Sequence, residues 1–261
     1  MNRYFSDIVW PTVLTMAIVV PVLITYMPYI PTGGYDIATS ITQTLSSSLG
    51  NPFRLASTYL LGDLAPYLYA IIIIYVITRR GRLTGLGKYL GFSWKPILGL
   101  LTVPLVLTLM VVWFLISGLL PLIITPLAPL PEVLTLIYTL YPIAISEEVV
   151  FRGFILNRLL PRDYNASTLI TTVPAIIVSA LYFTLAHVPV YLAVYGIKNP
   201  LPLLTTLTYI FIYGVISGFI YVITNSVVPD IIMHWINDYL SMESITYPAI
   251  PLPAHIIIPI F

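Results

Sequence analysis

The chain alternates long apolar runs with short polar stretches, and that alternation is its first signal. Runs near 8–30, 59–78, 97–120, 132–156, 168–190 and 203–224 each reach the length at which a helix crosses the hydrocarbon, about 20 mainly apolar residues. Two further runs are less regular. Residues 226–240 contain Pro229, Asp230, His234 and Asp238, and residues 245–261 are broken by Pro248, Pro251, Pro253 and Pro259. Helices this polar or this rich in proline span a membrane only where neighbours satisfy the polar groups they carry. The pattern therefore predicts an all-α fold, a polytopic transmembrane helix bundle of seven or eight spans.

Composition sharpens the picture. Of 261 residues, 59% are hydrophobic and only 8% charged, against about 25% charged in a soluble domain. Eleven Lys and Arg against ten Asp and Glu leave a formal net charge of +1, which offers nucleic acid no basic field. The absence of cysteine removes thiol nucleophiles, disulfides, iron–sulfur clusters and thiolate zinc sites together. Asp7, Trp10 and Pro21 interrupt the N-terminal run, so it reads as a first span rather than a secretory signal. Residues 1–261 are read as one integral membrane domain, because no polar stretch is long enough for a second unit.

Basic residues orient the bundle. With the N-terminus in the cytoplasm of a cell-membrane protein, Arg3, Arg79, Arg80, Arg82, Lys88, Lys95, Arg158 and Arg162 fall inside, and only Arg54 and Lys198 fall outside. Arg152 belongs to a span. Asp63 lies near the outer end of the second span and His255 in the proline-rich tail.

Glu147, Glu148, Arg152 and Asp238 stand inside predicted spans. At about 2.5 to 3.5 kcal/mol for each charge at a span centre, their unpaired burial would cost on the order of 10 kcal/mol. They must be partnered inside the bundle. In SEEVVFRG, Glu148 and Arg152 are four residues apart on one helix face, where an ion pair forms readily. Glu147 is turned by about 100° and shares its stripe with Phe151. The two glutamates thus divide: Glu148 braces, and Glu147 is the candidate base. FTLAH sets Phe183 beside His187, and HWIND sets His234 beside Asp238, each pair at i and i+4. Each of these groups needs a polar partner, and the others are the partners available, so the three segments are expected to converge.

Depth places a condition on that convergence. A fourth span leaving the membrane near Arg158 puts Glu147 about 16 Å deep, whereas a fifth helix starting at Thr168 carries His187 about 28 Å along its axis. They meet if the fourth helix runs past the interface as one rod, or if Pro174 breaks and redirects the fifth.

The three segments, in this order, resemble the EExxxR, FxxxH and HxxxN/D motifs of the CPBP intramembrane proteases, also called the CAAX amino-terminal protease or ABI family. The resemblance covers a core at about 132–241. It implies hydrolysis of a peptide bond within the membrane, with Glu147 as general base, His187 as its partner, His234 and residue 238 holding the oxyanion, and Glu148, Arg152 and Phe183 supporting the site. It further implies a peptide or lipidated protein substrate of the prenylated CAAX type, drawn from the bilayer, with neither cofactor nor metal. Asp238 departs from the commoner asparagine, since an oxyanion needs donors and Asp donates only when protonated. Asn237, one residue along, faces elsewhere.

Two other readings fit the same residues. His187, His234 and a carboxylate of Glu147 or Asp238 supply the donor types of a catalytic zinc site, although no HExxH occurs. A non-enzymatic protein, an immunity-type binder or a proton-coupled carrier, would also use buried Glu and His groups. A carrier would be expected to carry repeat symmetry, and none is visible.

Overall fold

Apolar helices packed without help from water need close backbone approach and polar contacts to choose their neighbours, and both are visible here. The structure is a computed structural model that describes residues 9, 12–13, 15–16, 86–119, 141, 143–161, 163–189, 191–192 and 200–246. The predicted span at 59–78, nearly all of those at 8–30 and 245–261, and Asp63 and His255 lie outside the described residues. Among the described residues all regular structure is helical.

Five helices carry the architecture. Helix α1 is Thr102–Ile116 and α2 is residues 143–159, whose middle, Val149–Leu156, is wound as a π-helix. Helix α3 is Val173–Pro189, α4 is Pro200–Thr224 and α5 is Val228–Thr246. Among the described residues, three segments are long and apolar enough to cross a membrane: Gly99–Ile116, Ile170–Val188 and Pro200–Thr224. They agree with the predicted spans at 97–120, 168–190 and 203–224.

Helix α4 is the centre of the bundle and packs against each of the other four. Helix α1 is peripheral, and Val103, Leu107, Val111 and Leu115 form an exposed stripe along it at i, i+4, i+8 and i+12. Such a stripe suits acyl chains. Its other side buries Val106, Trp113 and Phe114.

Small residues set the α3–α4 contact. Gly214 and Gly218 form a G-x-x-x-G face, and a Cβ on Gly218 would stand 2.7 Å from Ile176 Cγ2 while one on Gly214 would stand 3.0 Å from Ala180. This approach places Tyr213 and Ser217, on the same part of α4, against α2. Gly153 does the same elsewhere, since a Cβ there would lie 2.3 Å from the Leu90 backbone oxygen.

Helix α5 is amphipathic in the reverse sense. Asp230, His234, Asn237, Asp238 and Ser241 follow one helical face, and all are buried, whereas Val228 and Ile232 are exposed. The polar stripe faces the protein interior. Ser226 Oγ accepts the Val228 N–H at 3.2 Å and caps the helix start, where Asp230 sits in the first turn. The turn before it holds Asn225 at φ +52°, a left-handed conformation that asparagine tolerates. The Tyr164 hydroxyl donates to Asn225 Oδ1, and burial pushes that hydroxyl up to about 12, so it remains a donor at physiological pH.

The 3-10 turns ahead of α3 run directly into it, and the membrane-length segment starts at Ile170. Residues Ala166–Thr168 and Ile170–Thr172 wind as short 3-10 turns, the first capped by Asn165, and Pro174 occupies the first turn of α3 instead of breaking it. Glu147 and His187 do meet, with Glu147 Oε2 3.6 Å from His187 Nε2.

Candidate active site

Helix α2 delivers Glu147 and Glu148 just before its π-wound stretch, and Ser179 Oγ of α3 donates to the Phe151 carbonyl within it at 3.0 Å. π-Winding is uncommon and tends to occur at functional sites. The turn does not separate Glu148 from Arg152, whose Nε lies 3.1 Å from Glu148 Oε2, as the four-residue spacing predicts.

Glu148 is the hub of the cluster. Besides Arg152, it accepts from the Tyr213 hydroxyl at 2.9 Å, the Ser217 hydroxyl at 3.1 Å and His234 Nδ1 at 2.8 Å. A carboxylate so surrounded is held, not free to react. The Arg152 guanidinium lies over the Phe183 ring, 4.4 Å from its centroid, and its Nη atoms have no hydrogen-bond partner among the described residues. The aromatic face therefore takes the place of further acceptors for this buried cation.

Glu147 has a different environment. It is buried, and its Oε2 has no hydrogen-bond partner among the described residues. Around that oxygen stand His187 Nε2 at 3.6 Å and His234 Nε2 at 3.9 Å. His187 Nδ1 lies 2.7 Å from the Phe183 carbonyl, which can only accept, so Nδ1 carries a proton. In the neutral ring Nε2 is then the lone-pair nitrogen, and it is turned toward Glu147. Phe183 walls the ring as expected, with centroids 4.5 Å apart.

His234 is read in the same way. Its Nδ1 proton is donated to Glu148, and its Nε2 lies 3.4 Å from Asp238 Oδ2. Nε2 can therefore donate only when the ring carries both protons. Asp238 Oδ2 is buried and has no hydrogen-bond partner among the described residues, while Oδ1 accepts from Asn237 at 3.3 Å. Among the described residues, no group of three or more His, Asp and Glu side chains is disposed to hold a metal ion.

The structure thus brings together all seven residues singled out by the sequence: Glu147, Glu148, Arg152, Phe183, His187, His234 and Asp238. Several partners were not singled out. Tyr213 and Ser217 lie in an apolar run with no charge to mark them. Asp230 is fully buried with its Oδ1 3.0 Å from the Ser217 hydroxyl, which thus lies between two carboxylates with one proton to give. Asn237 does face away from the Glu147 cluster, and its Oδ1 accepts from the Trp113 indole at 2.9 Å. The one available signal was the stripe of α5, on which Asp230 and Asn237 fall with His234 and Asp238.

Membrane-length helices around a buried centre of carboxylates and imidazoles define an integral membrane protein with a polar site inside it. The family comparison narrows this: residues 129–240 match the family described as Type II CAAX prenyl endopeptidase Rce1-like. The match bears out the recognition of the CAAX protease family made from the three motifs, and the class is that of a protease with a peptide or protein substrate in a membrane setting. No curated protein and no solved structure matches the chain.

Proposed function

We propose that this protein is a glutamate-type intramembrane endopeptidase that hydrolyses a peptide bond in a lipidated protein tail of the CAAX type. What carries the reading is the pair Glu147 Oε2 and His187 Nε2, two buried acceptors 3.6 Å apart, neither with a hydrogen-bond partner among the described residues. A water bound there donates one proton to each and is thereby polarised and aimed. Its oxygen attacks the scissile carbonyl carbon, and Glu147 takes the proton released. His234, protonated on both nitrogens and anchored by Glu148, donates from Nε2 to the oxyanion, and Asp238 donates from Oδ2. The carbon–nitrogen bond then breaks as Glu147 returns its proton to the leaving amine. Glu148, Arg152 and Phe183 hold these groups in place.

The test is cleavage of a farnesylated CAAX peptide by the purified protein in detergent, against Glu147→Gln and against the unprenylated peptide. Equal turnover by wild type and Glu147→Gln would refute the mechanism, and equal turnover of both peptides would refute the lipidated substrate.

A further inference from the structure

Trp113 reaches the site from the peripheral helix α1 by its indole N–H and by its ring, which packs edge-on against Tyr213 with centroids 5.1 Å apart. Its indole N–H, which can only donate, lies 2.9 Å from Asn237 Oδ1. That bond orients the amide, for with Oδ1 turned to the indole, Nδ2 is turned to Asp238, whose Oδ1 lies 3.3 Å away. Asp238 Oδ1 is therefore an acceptor. Its other oxygen, Oδ2, is buried, has no hydrogen-bond partner among the described residues, and lies 3.4 Å from His234 Nε2. The donor-only character of the indole thus propagates through two side chains and distinguishes the two oxygens of Asp238. Both Trp113 and Asn237 are buried, at 1% exposure each, so water cannot substitute for either bond.

We infer that Trp113 and Asn237 are positioning residues that hold Asp238 with Oδ1 as acceptor and its proton on Oδ2, the oxygen turned to the cluster of Glu147, His187 and His234. Unconstrained, the carboxyl group could turn about its own bond and carry the proton away from the reaction centre. The consequence for catalysis rests on the protease reading proposed above; the hydrogen-bond chain itself does not. The chain also holds for an asparagine at 238, whose amide would be pinned with its N–H₂ toward the centre.

Two measurements on the full chain in detergent test this. In the infrared, the carboxylic-acid C=O band of Asp238 is assigned by its loss in Asp238→Asn. It should move to higher wavenumber in Asn237→Leu, where the carbonyl loses its donor, and should move or broaden in Trp113→Phe. Absence of such a band, or a band unmoved in both variants, overturns the inference. In peptide cleavage, Trp113→Phe should lower kcat about 5- to 10-fold with KM unchanged, the effect of one misdirected hydrogen bond. In an Asp238→Ala background the same change should cause no further loss. An equal factor in both backgrounds would make Trp113 a packing residue only and overturn the proposal. A wild-type protein that cleaves no peptide refutes the protease reading, and the infrared measurement still decides the chain.

Discussion

Glu147 and Glu148 are consecutive, yet four side chains converge on Glu148 while Oε2 of Glu147 has no hydrogen-bond partner among the described residues. One peptide unit of helix separates a held carboxylate from the one proposed to react. Helical rotation of about 100° turns Glu148 toward Arg152, α4 and Nδ1 of His234, and Glu147 toward Nε2 of His187 and of His234.

Removing the reactive group should remove chemistry without removing structure. Glu147→Gln and His187→Ala are each expected to lower peptide cleavage by about 10³-fold or more, in line with loss of general acid–base catalysis and water alignment. Glu147→Gln should leave thermal unfolding in detergent near wild type, because a neutral amide is no harder to bury than the carboxylate it replaces.

Glu148→Gln should behave in the opposite way. It leaves Arg152 buried with no charge partner and weakens the bonds from Tyr213, Ser217 and His234. A loss of about 3 kcal/mol or more is expected, as for one partner removed from a buried ion pair. Thermal or chemical unfolding of the solubilised protein would measure it.

Asp238→Asn separates two roles. If Asp238 donates to the oxyanion, wild-type activity falls as rising pH removes its proton, whereas the amide keeps donating; the variant should then retain activity and extend it to higher pH. If Asp238 is an ionised group that orients His234, the same change should lower turnover by about 10²-fold at every pH. The donor role is expected, since a further negative charge near Glu147 would oppose the charge that develops on attack. The pH–rate profile decides.

The proposed activation of water by Glu147 and His187 requires no metal. Activity should persist after exhaustive dialysis against a strong chelator, and elemental analysis should find well below one zinc per chain. Reversible loss of activity with stoichiometric zinc would establish a metalloprotease instead.

Packing provides a prediction away from the chemistry. Gly153→Ala would place a Cβ 2.3 Å from a backbone oxygen of Leu90, which cannot turn aside as a side chain can. A destabilisation of about 1 to 3 kcal/mol is expected from such overpacking, read as a lowered unfolding temperature.

The sequence by itself determined that the chain is helical and membrane-embedded, and that Glu147, Glu148, Arg152, His187, His234 and Asp238 must meet. Those conclusions rest on large energies, the cost of burying a charge and the gain from burying apolar surface, which local spacing expresses directly. It also separated the two glutamates, because i and i+4 geometry is a property of a single helix. What only the tertiary structure decided was which neutral groups complete the site. Tyr213 and Ser217 reach Glu148 because Gly214 and Gly218 let α4 close on α3, and Trp113 reaches Asn237 because α1 crosses beside α5. The start of α3 at Val173 and the π-winding of α2 were equally hidden, since small differences among helical hydrogen-bond patterns are resolved by packing. Such contacts are chosen by distances of a few tenths of an ångström between helices far apart in sequence, and no local pattern of residue types records them.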